Sequence, residues 1–124
     1  MSEVRYTDQH EWVRIDGDVA TVGITKYAAA QLGDVVFVEL PEAGRKVGQG
    51  SEIAVVESVK AASEVYAPVG GEISESNPVL AAEPAKINAD PEGEGWFFRM
   101  RLADKSELGK LMSEAQYTEF VKSL

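Results

Sequence analysis

Glu52-Ile53-Ala54-Val55-Val56-Glu57-Ser58-Val59-Lys60-Ala61-Ala62-Ser63-Glu64-Val65-Tyr66-Ala67-Pro68 is two runs of strand-forming residues around a lysine set beside small alanines. The connection between the runs is very short, so Glu52–Glu57 and Ser63–Pro68 are expected to fold back on each other with Lys60 at or near the hairpin tip. Short strands separated by Gly-containing turns recur on both sides. Upstream, Trp12-Val13-Arg14-Ile15, the turn Asp16-Gly17-Asp18 and the run Val19–Ile24 make another hairpin. Thr25 caps a short helix over Lys26 to Leu32, rich in alanine and closed by Gly33. Val35-Val36-Phe37-Val38-Glu39-Leu40 is almost continuously apolar and ends at Pro41, which predicts a strand buried on both faces at the centre of the core. Turns at Glu42-Ala43-Gly44-Arg45 and Gly48-Gln49-Gly50 lead from it into the lysine hairpin.

Downstream, Gly70-Gly71 turns into a strand over Glu72–Glu75, and Pro78 to Pro91 reads as short helical turns. Trp96–Leu102 is a last strand whose aromatic face closes the core. Asp104 or Ser106 starts a helix through Leu108, Leu111 and Met112. Ser113 followed by Gln116 forms a capping box for a final helix, with Tyr117, Phe120 and Val121 on one apolar face that packs on the sheet. The expectation is a mainly β sandwich or barrel, one domain over 1–124 with a C-terminal helical extension at about 104–124. The strands before and after Lys60 read as two halves of one folded-back sandwich.

Composition narrows the chemistry. With 12 basic against 21 acidic residues, the net charge of -9 repels a phosphate backbone and an anionic membrane face, so neither nucleic acid nor membrane is an expected partner. The chain has no cysteine, so any sulfur chemistry must arrive on an attached group. Met1-Ser2-Glu3-Val4-Arg5 leads straight into polar sequence without a signal-peptide or transit-peptide pattern, which argues for a cytoplasmic protein. No segment argues for self-assembly, and a monomer is expected.

A lysine that another enzyme must acylate needs an exposed amine, little bulk beside it and a rigid backbone, and a tight turn between paired strands supplies all three. By default, however, a lysine in a turn is a solvated charge, and composition does not separate Lys60 from the other lysines. Other chemistries find less support. His10 is the only histidine and has no partners at metal-ligand spacing, so no metal site is expected and a packed or surface role suits it. Ser58 and Ser63 lie in no nucleophile elbow. The glycines around Gly44, Gly48 and Gly50 lack the P-loop ending and the strand-to-helix setting of a dinucleotide site.

Glu57-Ser58-Val59-Lys60-Ala61-Ala62-Ser63-Glu64, followed by Tyr66-Ala67-Pro68-Val69-Gly70-Gly71-Glu72, resembles the lipoyl-attachment region of glycine cleavage H proteins. Further segments match that family in order: His10-Glu11-Trp12-Val13, Val22-Gly23-Ile24-Thr25, Leu32 to Pro41, Asn88-Ala89-Asp90-Pro91, Gly93-Glu94-Gly95-Trp96 and the C-terminal helix. The resemblance spans nearly the whole chain and implies a barrel-sandwich hybrid of the lipoyl and biotinyl carrier kind. It also implies that lipoate is amide-linked to Lys60, with Glu57, Ser58, Val59 and Ala61 as the attachment context.

The implied function is a non-catalytic shuttle. A pyridoxal-phosphate glycine decarboxylase loads an aminomethyl group on the lipoyl arm, a tetrahydrofolate-dependent aminomethyltransferase removes the carbon unit, and dihydrolipoamide dehydrogenase reoxidises the dithiol. Lipoyl-attaching enzymes are the remaining partners. The loaded arm is implied to rest in a surface cleft, for which Glu11, Gln31 and Glu64 are the candidates by position; the carboxylates of Glu11 and Glu64 would pair with an ammonium group. Family members often carry histidine where this chain has Gln31, so no titrating group stands there. Biotin carriers usually place methionines beside the lysine, where this chain has Val59 and Ala61, and lipoyl domains of 2-oxoacid dehydrogenases usually show Asp-Lys-Ala within longer chains. An H-like protein that relays lipoyl groups to other enzymes is a further alternative.

Overall fold

The computed structural model describes residues 3–124; the Met1-Ser2 start on which the compartment reading leans lies outside them. Among the described residues, nine strands form two antiparallel sheets. β1 (Glu3–Tyr6), β2 (Glu11–Asp16), β3 (Val19–Ile24), β9 (Phe98–Leu102), β8 (Gly71–Ser76) and β5 (Lys46–Val47) lie side by side in that order. β4 (Val35–Glu39), β6 (Glu52–Ser58) and β7 (Ala62–Tyr66) make the smaller sheet. On either side of Lys60 the chain visits both sheets, β5 then β6 before it and β7 then β8 after it. The sandwich is therefore folded back about the lysine hairpin.

Side-chain alternation fills the space between the sheets. Val13, Ile15, Ala20, Val22, Phe98 and Met100 from the large sheet meet Val38, Ala54, Val56 and Val65 from the small one in a single cluster. A second cluster, built on Tyr6, Trp12 and Tyr117, occupies the other face of β1 and β2 beneath the last helix. β2 thus buries Trp12 on one side and Val13 on the other, at 2% and 0% exposure.

That observation corrects the reading of Val35–Leu40. The run is a strand, but it is an edge strand, and Val36 and Phe37 stand in solvent. A bulge between Val35 and Phe37 inserts an extra residue and turns both side chains outward, so apolarity there does not report burial.

The helices mostly follow their local signals. Thr25 accepts a hydrogen bond from Ala28 N at the start of α1 (Lys26–Leu32), and Gly33, at φ 77°, closes it in a conformation that disfavours a Cβ. α2 (Pro78–Ala82) and α3 (Lys86–Ala89) are the short turns expected between Pro78 and Pro91. The expected helix through Met112 is instead a 3-10 helix over Lys105–Lys110, capped by Asp104. Its continuation is blocked because Met112 commits both backbone groups to Tyr6, with N–H···O distances of 2.8 and 2.9 Å. α4 (Glu114–Lys122) has the capping box, with Ser113 Oγ and Gln116 Oε1 accepting each other's backbone N–H at 3.2 and 2.8 Å. Two strands lacked a sequence signal: β1, and β5, which is two residues long.

Candidate functional site

The tip of the β6–β7 hairpin is tied by one serine. Ser58 Oγ accepts the N–H groups of Lys60 and Ala61 at 3.2 and 3.1 Å and donates to Ala61 O at 3.2 Å, while Ser58 N donates to Ala61 O at 2.8 Å. Val59 N donates to Asp34 O at 3.0 Å, which fastens the tip to the strip between α1 and β4. Asn88 of α3 holds that strip from behind, donating to Gly33 O at 2.7 Å and accepting from Val35 N at 2.9 Å. Lys60 is exposed on a tip whose backbone is fixed from two sides.

Lys60 leans across Gly33. A Cβ on that glycine would stand 3.3 Å from Lys60 Cε, so the missing side chain leaves a cradle for the lysyl stem. Beside it opens a cleft of about 410 Å³ between α1 and β7. Lys60, Glu11, Gln31 and Glu64 all line it, as do His10, Tyr27 and Tyr66. The remaining attachment-context residues differ in setting: Ser58 ties the turn, Ala61 joins the cleft wall, and Glu57 and Val59 face solvent.

The two carboxylates are unlike. Glu64 is exposed and accepts from Tyr66 Oη at 2.9 Å. Glu11 is 2% exposed; its Oε1 accepts from Thr7 Oγ1 at 3.0 Å and its Oε2 from Tyr66 N at 2.7 Å, on the free edge of β7. Burial pushes its carboxyl up to about 7, against the opposing pull of those two hydrogen bonds. Glu11 therefore gives up its proton less readily than an exposed carboxyl, and a cation entering the cleft would draw it toward the carboxylate. Gln31 stands exposed on α1 as a neutral amide.

His10 sits at φ 66°, the one described non-glycine residue with positive φ. Its Nδ1 lies 2.8 Å from Tyr117 Oη, which is also 2.7 Å from Thr25 Oγ1, the cap of α1. Its ring packs on Tyr27 at 4.5 Å between centroids. Burial, opposed by the charge of Asp8, holds the imidazole below its ordinary range. Tyr117 thus joins α4 to the head of α1, one wall of the cleft, and to His10 in its lining. Sequence reasoning named Tyr117 only as an apolar anchor and did not single out Tyr66, Thr7 or Asn88; the available signals were Tyr66 at the head of Tyr66-Ala67-Pro68-Val69-Gly70-Gly71-Glu72 and Asn88 within Asn88-Ala89-Asp90-Pro91. No three His, Asp or Glu side chains converge as a metal site among the described residues.

Two packed sheets with an exposed lysine on a tied hairpin define the class as a lipoyl-domain-like barrel-sandwich protein. The glycine cleavage H-protein family model matches residues 4–124, and the chain belongs to that family. The glycine cleavage system H protein of Parvibaculum lavamentivorans is 64% identical over 124 residues, covering 100% of this chain and 99% of the relative. That of Bradyrhizobium diazoefficiens is 62% identical over 117 residues, covering 94% and 96%. The crystal structure of a glycine cleavage system H protein from Mycobacterium marinum superposes with a TM-score of 0.89 at 37% identity, over 97% of each chain.

Proposed function

We propose that this chain is the lipoyl carrier of a glycine cleavage system, a non-catalytic single domain that bears lipoate on Lys60. The observation that carries the reading is the exposed Lys60 on a rigid hairpin tip, its stem in the Gly33 cradle and a cleft with two carboxyl groups at its side. When bound, lipoate would supply the reversible disulfide–dithiol chemistry that the cysteine-free chain lacks. The chain's own contribution is tethering, so that a transferred group is presented at high effective concentration to each partner. Glu11 and Glu64 would hold an ammonium group at the cleft, and the walls formed by α1 and β7 would reduce water access to it.

In this reading the partners are the pyridoxal-phosphate glycine decarboxylase, the tetrahydrofolate-dependent aminomethyltransferase, dihydrolipoamide dehydrogenase and a lipoyl-attaching enzyme. The protein acts as a monomer in the cytoplasm. None of its described helices is long and apolar enough to cross a membrane. Intact-mass measurement of protein from a lipoylation-competent host tests the assignment: a lipoyl increment on the wild type, lost in Lys60→Ala, supports it. An unmodified Lys60 or a biotin increment refutes it. Glycine-dependent CO2 release with the partner enzymes then tests the shuttle, and lipoyl transfer to an acceptor domain without such release would refute it in favour of relay.

A further inference from the structure

The solvent face of the small sheet has a composition that carrier chemistry does not require. Residues directly opposite each other on antiparallel strands point to the same side. Phe37 pairs with Glu57 and Glu57 with Ala62, and one step farther from the tip Glu39 pairs with Val55 and Val55 with Glu64. All of these are exposed except Val55, which is half-buried. Phe37, 50% exposed, therefore stands on a face that carries Glu39, Glu57 and Glu64. The bulge adds Val36 at 55% exposure, and the hairpin tip adds Val59 at 67%, fastened to the same strip through Asp34. Half of the exposed large apolar side chains of the described residues thus gather on one side of Lys60: Val36, Phe37 and Val59, as against Val19, Val79 and Leu124 elsewhere.

Three clustered apolar side chains in water are unfavourable unless something covers them, and among the described residues nothing does. The bulge that exposes Phe37 also kinks the outermost strand, which suits a face made for docking better than one made for continued strand pairing. The charge of the rim sets the partner's chemistry, since the exposed carboxylates Glu39, Glu57 and Glu64 match lysine and arginine around an apolar hollow.

We infer that Val36, Phe37 and Val59 form the docking surface for the enzyme that acylates Lys60, through an apolar hollow rimmed by basic residues. This rests on the carrier reading above and deepens it. Geometry selects that partner. An acylating enzyme must bring its reaction centre to Lys60 Nζ itself, so its surface has to cover the residues beside the hairpin tip. Enzymes that act on the far end of an attached arm can stand off by the length of that arm. The step is an acyl transfer: the lysine nitrogen attacks the carbonyl carbon of lipoyl-adenylate, a mixed anhydride, the amide C–N bond forms, the acyl C–O bond to phosphate breaks with AMP as the leaving group, and the amine loses a proton.

The test uses the unlipoylated full chain with lipoyl-adenylate and a lipoyl-attaching enzyme. Val36→Thr/Phe37→Thr places β-branched, strand-compatible side chains at both positions while removing the apolar surface. The expected result is a KM for the carrier raised about tenfold with kcat within twofold, and a wild-type KM that rises with salt as the acidic rim is screened. Val19→Thr, an exposed apolar residue on β3 away from the hairpin, is expected to leave both constants unchanged. A KM within twofold of wild type in the double variant, or an equal rise in Val19→Thr, overturns the inference. Normal acylation of the double variant with loss of glycine-dependent turnover also overturns it, by moving the surface to a partner of the loaded arm. Failure of the wild type to be acylated at all sinks the carrier reading, and that result is visible without any variant.

Discussion

Glu11 bears an unusual burden for a carboxyl group. It is nearly without solvent, it makes no ion pair among the described residues, and its two oxygens close the free edge of β7 and receive Thr7. Its pKa is raised from 4.5 to about 7, mainly by desolvation. Below the lower value the residue is protonated in both the folded and unfolded chain. As pH rises the unfolded chain ionises first, so stability falls across the window from 4.5 to about 7 and levels off above it. The full penalty is about 3 kcal/mol. In urea unfolding, the stability of wild type relative to Glu11→Gln is therefore expected to drop by about that amount between acid and pH ~8. A difference that stays flat with pH would show that the folded carboxyl is not desolvated. Gly33 is the other residue on which the site leans, because its positive φ ends α1 and its absent Cβ makes room for Lys60.

Among the elements, α4 does more than cover a sheet. Tyr117 stacks on Tyr6 of β1 at 4.6 Å, and its hydroxyl reaches His10 ahead of β2 and Thr25 at the head of α1. One side chain of the last helix therefore ties together β1, the segment ahead of β2 and the head of α1, which is one wall of the cleft. Tyr117→Phe keeps the stacking and removes both hydroxyl contacts, leaving buried Thr25 short of a partner. The expected cost is about 1–2 kcal/mol in urea unfolding, with the loss of amide protection concentrated in α4 and the first turn of α1. Protection that falls evenly over the whole sandwich would mean that α4 is not a separate clamp on the cleft. β4 shows the opposite relation between element and core, since its pairing is held on one edge while its bulge gives two apolar side chains to solvent.

At the scale of the molecule, 21 acidic and 12 basic residues share a small surface, and few of the carboxylates are engaged by ion pairs among the described residues. These pairs are largely exposed and each contributes little. Self-repulsion at a charge of -9 works against the compact state and is screened by salt. The urea midpoint is therefore expected to rise between ~10 and ~200 mM NaCl at pH ~8. A midpoint that falls would show that attractive pairs outweigh the net charge.

Local chemistry was enough to determine the hairpins, the capped α1 and α4, the short turns after Pro78 and the lysine tip, because turn glycines, side-chain caps and strand-forming runs act within a few residues of themselves. The chain also carried its family resemblance in segments read in order, and the family match extends over residues 4–124. Burial was decided elsewhere. Val35–Glu39 and Glu11–Asp16 are both strands, yet only tertiary packing puts the first at an edge and sandwiches the second between α4 and the small sheet. The helix expected through Met112 stopped at Lys110 because β1, distant in sequence, took the backbone groups of Met112. The same holds at the site. That Lys60 sits on a turn is a local fact, whereas the Gly33 cradle, the desolvation of Glu11 and the clamp at Tyr117 arise from contacts across long stretches of chain, which no window of sequence contains.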